Sequence, residues 1–110
     1  MTAEELTTVL YRKMKAEQDT YRNWLLNLSP EEILDHAYEY SVREDILMAL
    51  EERELSSEQA MALLGASCPL ADIYREWQKR DTGYMNDIRD TIEDRANEVL
   101  SREGANVGKK

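Results

Sequence analysis

The stretch SPEEILDHAYEYSVREDILMALEE, Ser29 to Glu52, decides how this chain folds. Its opening is a helix start. Ser29 offers an N-cap oxygen, Pro30 suits the first helical position, and Glu32 stands where it can reach back. The apolar residues Ile33, Leu34, Ala37 and Tyr38 then recur at helical spacing. Beyond Ser41 the apolar set becomes Val42, Ile46, Leu47 and Leu50. At about 100° per residue this set falls on nearly the opposite side of a continuous helix. One straight helix cannot send both sets into one core. The spacing therefore predicts a second helix ending near Ser41 and a third starting there, where Ser41 and Glu44 make another capping box.

Outward from this stretch the same reasoning gives helices throughout. The first runs from Ala3 to about Asn27, with Thr2 as N-cap, Glu5 closing the box, and a stripe of Leu6, Leu10, Met14, Tyr21, Trp24, Leu25 and Leu28. A fourth spans about Ser57 to Leu64, capped by Ser56 and stopped by Gly65. A fifth begins at Pro69 and buries Leu70, Ile73, Tyr74 and Trp77. After Asp81-Thr82-Gly83 a sixth buries Met85, Ile88, Ile92, Ala96 and Val99. The expected fold is all-α, a compact bundle of five to six helices with mixed crossing angles. Residues 1–102 make one helical domain and 103–110 a flexible tail. Only 4 glycines and 2 prolines in 110 residues agree with helices joined by short connections.

Composition narrows the function classes. The single cysteine, Cys68, cannot form an intramolecular disulfide, the N-terminus MTAEELTTVL lacks the apolar core of a leader, and the longest apolar run is Ile46 to Leu50. The cytoplasm is the expected compartment. Net charge is −9, and residues 28–55 hold nine acids against two bases. Such a field repels nucleic acid and anionic membranes and favours basic partners. Glu32, Asp35 and Glu39 on the second predicted helix, with Glu44, Asp45, Glu51 and Glu52 on the third, would lie opposite the apolar sides. Two such rows side by side could imitate the phosphate ridge of a duplex, which carries one charge per roughly 1.7 Å. A merely solvated surface explains the same carboxylates.

Two charges interrupt apolar stripes: Glu17, between Met14 and Tyr21, and Arg43, beside Val42 and Ile46. A buried charge without a counter-charge costs several kcal/mol. The economical expectation is that Glu17 and Arg43 pair with each other; the alternative is that both line a shallow ligand pocket. Residues 56–80 have the outline of a helix-turn-helix. Its second helix, however, would meet DNA with Ser67, Cys68, Pro69 and Asp72, and with no base before Arg75. Cys68 at a helix start and His36 beside Asp35 are the nucleophile and base candidates, but nothing in the spacing brings them together. One histidine with scattered carboxylates makes a poor zinc site. Tyr11 and Tyr40 fall at stripe edges, where a partner could be anchored. No phosphate loop, nucleophile elbow or C-x-x-C motif is present.

The strings HAYEYSVREDILMALE, SCPLADIYREW and TGYMNDIRDTIEDRANE, in that order, resemble a family of small helical domains of unknown function from gut Firmicutes. The resemblance covers roughly residues 9–102. It implies a stand-alone helical module, often encoded in mobile elements, and carries no catalytic or binding residues. The expected role is therefore a non-enzymatic protein–protein interaction module with no cofactor or metal. Its sharpest form is an acidic inhibitor of a nucleic-acid-binding host defence protein, acting as a DNA mimic through the second and third predicted helices. The alternative is a helix-turn-helix DNA-binding regulator using residues 56–80.

Overall fold

The computed structural model describes residues 1–80 and 83–108, with side chains as far as Glu103. Asp81 and Thr82, read above as part of a turn, and Lys109 and Lys110 of the expected tail lie outside the described residues. Five helices follow one another: α1 (Ala3–Leu26), α2 (Pro30–Glu52), α3 (Ser57–Leu64), α4 (Pro69–Gln78) and α5 (Tyr84–Gly108). No strand occurs among the described residues, and none of their helices is long and apolar enough to cross a membrane. The chain divides into two compact units, Met1–Lys79 and Arg80–Lys110.

Local chemistry sets most of the boundaries. Thr2 Oγ1 accepts the Glu5 N–H at 3.1 Å, and the Glu5 carboxylate accepts the Thr2 N–H, a reciprocal box that satisfies two orphan donors. Ser29 Oγ accepts the Glu32 N–H, with Pro30 in the first turn. Ser56 and Gln59 repeat the box at α3, which ends at Gly65. Gly83 has φ +73°, a left-handed conformation natural to glycine, immediately before α5. That last helix runs on to Gly108, into the segment 103–110 expected to be a flexible tail.

The break expected at Ser41 does not occur. α2 is one continuous helix of 23 residues. The reason lies in which line of it is buried. Its inner face is His36, Glu39, Tyr40, Arg43, Leu47 and Leu50, one stripe at helical spacing whose N-terminal half is polar. Leu34, Ala37 and Tyr38, expected inside, are exposed. The two apolar sets do oppose each other, but only the second faces the core.

In the first unit α1 is central, contacting α2, α3 and α4, while α2 also meets α4. Leu10, Met14, Leu47, Leu50 and Leu70 form the core, flanked by Tyr11, Ile46, Leu55, Leu63, Leu64 and Ile73. Each fully buried aliphatic side chain contributes about 1.5–3 kcal/mol. Trp77, read as core, is over a third exposed.

The second unit is essentially α5. Met85, Ile88, Ile92 and Val99, expected in the core, are all exposed, because a lone helix has nothing in its own unit to bury its stripe against.

Candidate interaction surfaces and the polar seam

Below the core a polar seam joins α1, α2 and α4. Glu17 pairs with Arg43 at 3.9 Å, as expected, and is also held at shorter range by backbone donors. Its Oε1 accepts the Leu70 N–H at 2.9 Å and its Oε2 accepts the Ala71 N–H at 2.8 Å, so the carboxylate caps α4 from another helix. Cys68, at the N-cap position itself, makes no side-chain cap bond. One turn earlier on α1, Lys13 Nζ donates to the Leu64 and Ala66 carbonyls at 3.1 and 2.8 Å. An anion sits at the start of α4 and a cation at the end of α3. Each charge is matched to the helix terminus it touches.

Arg43 finds its main partner one turn back on its own helix. Its Nη2 and Nε donate to Glu39 Oε2 at 2.7 and 2.9 Å, and its guanidinium lies 4.1 Å from the centre of the Tyr21 ring. Glu17 is a distant third contact, at 3.9 Å. Gln18, fully buried and absent from the sequence reading, donates to the Tyr40 carbonyl at 3.2 Å and to Glu44 at 3.0 Å. Burial, then the charge of Glu39, raises the Tyr21 hydroxyl above the ordinary tyrosine range, and the hydroxyl has no hydrogen bond of good geometry. His36 packs edge-on against Trp24 and Tyr21 at 5.1 and 6.5 Å between ring centres. Cys68 is a free, exposed thiol.

The carboxylates expected in one ridge are spread around α2. On a continuous helix Glu32, Asp35 and Glu39 share one side, Glu44 and Glu51 a second, and Asp45 and Glu52 a third, separated by roughly 100–140°. Several are engaged inside the unit. Glu32 bonds to Ser29 Oγ, Glu39 to Arg43 and Glu44 to Gln18. The Glu51 carboxylate, by hydrogen bond and then by its charge, holds the Tyr11 hydroxyl above its usual range. Tyr11 and Glu51 line an open groove of about 690 Å³ with Thr7, Leu50, Arg53 and Leu55. Asp35, Asp45 and Glu52 point to solvent. The two-helix acidic ridge is therefore not formed, because the two predicted helices are one.

A different feature occupies the outward side of α2. Leu34, Tyr38 and Met48 are 73%, 55% and 58% exposed and lie along one line with Ser41, Asp45 and Glu52. This outer face spans Leu34 to Glu52, about 27 Å at 1.5 Å per residue. Its charged members, with Glu31 and Asp35 at the margin, are all acids. The continuity of α2 creates it, and a sequence signal was available: apolar positions opposite the stripe that holds Leu47 and Leu50.

The first turn of α4, which a helix-turn-helix would present to base edges, is taken up inside the unit. Pro69 and Leu70 are fully buried, and their turn is capped by Glu17. Among the described residues no group of three or more His, Cys, Asp and Glu side chains is arranged to hold a metal ion.

A family model described as protein of unknown function DUF3848 matches residues 6–100, which covers α2, α3 and α4 whole and most of α1 and α5. No curated protein and no solved structure matches the chain.

Proposed function

The chain belongs to the DUF3848 family, and we propose that it is a non-enzymatic protein–protein interaction module that binds through the outer face of α2. The observation carrying this reading is the line Leu34, Tyr38 and Met48, three large apolar side chains each more than half exposed on one rigid helix. Exposed apolar patches bordered by polar residues mark interaction sites more often than chance surface does. Acids lie within this line, at Asp45 and Glu52, and beside it, so the partner presents apolar side chains interspersed with cations. Net charge −9 acts in the same direction by steering basic partners from a distance.

A nucleic-acid-binding host protein has that chemistry, and the mobile-element setting implied by the family resemblance would make it a defence protein. The carboxylates contribute among and beside apolar side chains on one helix face, not as a phosphate-like ridge on two helices. The helix-turn-helix alternative gains no support, since the first turn of α4 has its N–H groups and apolar side chains already engaged by α1.

The test is a tagged pull-down from the source organism, with and without nuclease, using the wild-type chain and Leu34→Asp with Met48→Asp. A basic protein retained after nuclease and lost with the variant supports the reading. Retention unchanged by the variant, or recovery of nucleic acid alone, overturns it.

A further inference from the structure

The α5 helix carries the chemistry that the α2 face calls for. Met85, Ile88, Ile92, Ala96 and Val99 share a strip about 80° wide on the α5 helix, and Val99 lies about 21 Å along the axis from Met85. Every one of them is exposed. Arginines border this strip on both sides, Arg89 on one and Arg95 and Arg102 on the other; Glu93 lies outside Arg89, Glu103 continues the strip one turn past Val99, and Asp87, Asp90, Asp94 and Glu98 lie behind it. The arginines are held only by exposed contacts within the helix. Arg95 and Arg102 both reach Glu98, at 3.1 and 2.8 Å, and Arg89 reaches Asn86. Exposed pairs of this kind are readily exchanged for others.

We infer that a second copy of this chain is a partner of the α2 face, with α5 of one copy lying along Leu34, Tyr38 and Met48 of the other. Three observations converge on that occupant. Both faces carry unburied apolar side chains, and Leu34 to Met48 on α2 spans about 21 Å, the same length as Met85 to Val99 on α5. The charges are opposite in sign: arginines flank the α5 strip, while Asp45 and Glu52 lie in the α2 line and Glu31 and Asp35 lie beside it. The spacing also agrees: Arg95 and Arg102 are seven residues apart, as are Asp45 and Glu52, so both pairs are separated by about 10.5 Å along their helices. No cation pairs with Asp45 or Glu52 among the described residues. One helix of this length covers only part of the roughly 800 Å² per partner that a stable dimer buries, and two-fold exchange doubles it.

This inference rests on the reading of the α2 face, and sedimentation equilibrium of the full chain separates the two. The expected result is a dimer whose population rises with concentration between about 1 and 200 µM. Ile88→Asp with Ile92→Asp, and separately Leu34→Asp with Met48→Asp, each give monomers with unchanged helix content, since all four positions are exposed. Asp45→Arg with Glu52→Arg weakens the dimer about tenfold or more at low salt, as like charges meet. Adding Arg95→Glu and Arg102→Glu to that variant restores it. A wild-type monomer at every concentration overturns the self-association while leaving the pull-down result standing. A dimer insensitive to the α2 substitutions also overturns it, as does failure of the double charge reversal to restore association.

Discussion

Glu17→Gln tests whether the polar seam is organised around the start of α4 or around a Glu17–Arg43 pair. The native carboxylate accepts two N–H groups at 2.9 and 2.8 Å, one of them from fully buried Leu70. A carboxamide offers one acceptor oxygen, and its NH2 would oppose the second N–H. Hydrogen bonds to a charged group are worth about 1.5–3 kcal/mol each. Losing one, and weakening the other from charged to neutral, should cost about 2–3 kcal/mol. In a unit of this size each kcal/mol lowers Tm by roughly 4–8 °C. Arg43→Met removes the Glu39 pair and the stacking on Tyr21, for about 2 kcal/mol. The geometry then fixes the coupling. Glu17 and Arg43 meet at 3.9 Å within one network, so the double variant should lose somewhat less than the sum, with an interaction energy of about 1 kcal/mol, below either single loss. Urea titrations of all four proteins followed by circular dichroism supply the cycle. A double variant about as stable as either single one would mean that the two charges exist for each other, and the capping account would fail.

Leu47→Ala should cost about 2–5 kcal/mol, because Leu47 is buried in the core, while Leu34→Ala should stay within about 0.5 kcal/mol. Equal losses in urea titration would return Leu34 to the interior and break α2. Tyr21→Phe removes a buried hydroxyl without a hydrogen bond, and should be neutral or stabilising by up to about 1 kcal/mol. Burial, then the Glu39 charge, raises the folded-state pKa of both Tyr21 and Tyr74, so the unfolded chain ionises first. Their contribution is complete below about pH 10 and is lost as pH rises past it. Tyr21→Phe with Tyr74→Phe should therefore shed less stability than wild type between about pH 9 and 11, and an identical decline in both would refute the assignment.

The helix boundaries were legible because their signals are local. Thr2 and Glu5, Ser29 and Pro30, Ser56 with Gly65, and Pro69 each act within a few residues of the end they mark. α3 spans the residues its cap and stop signals predict. The orientation of α2 was not legible, because periodicity treats burial and apolarity as one property. Here a charged arginine and a glutamine are buried while a leucine and a tyrosine are exposed. The partners of Glu17 were invisible for another reason: they are backbone groups 53 and 54 residues away, which no side-chain spacing encodes. One clue was present. Cys68 is a poor N-cap, so the orphan donors of α4 required an acceptor from elsewhere. For α5 the sequence established that a stripe needs cover, and nothing in a helical repeat names the cover. The dispersion of the carboxylates followed directly from the missing break at Ser41.

The remote clamp that Lys13 and Glu17 place on the α3–α4 turn has a consequence for how the chain acquires its structure. α3 and α4 have 8 and 10 residues, below the length at which a helix persists in water by itself. Both turn-facing ends are finished by groups from α1, so neither helix is an autonomous building block. A peptide comprising residues 56–80 would be largely coil, and deleting the part of α1 that carries Lys13 and Glu17 would melt segments about fifty residues downstream. Order in that corner is acquired all at once, when the N-terminal rod arrives, and would be surrendered in the same single step.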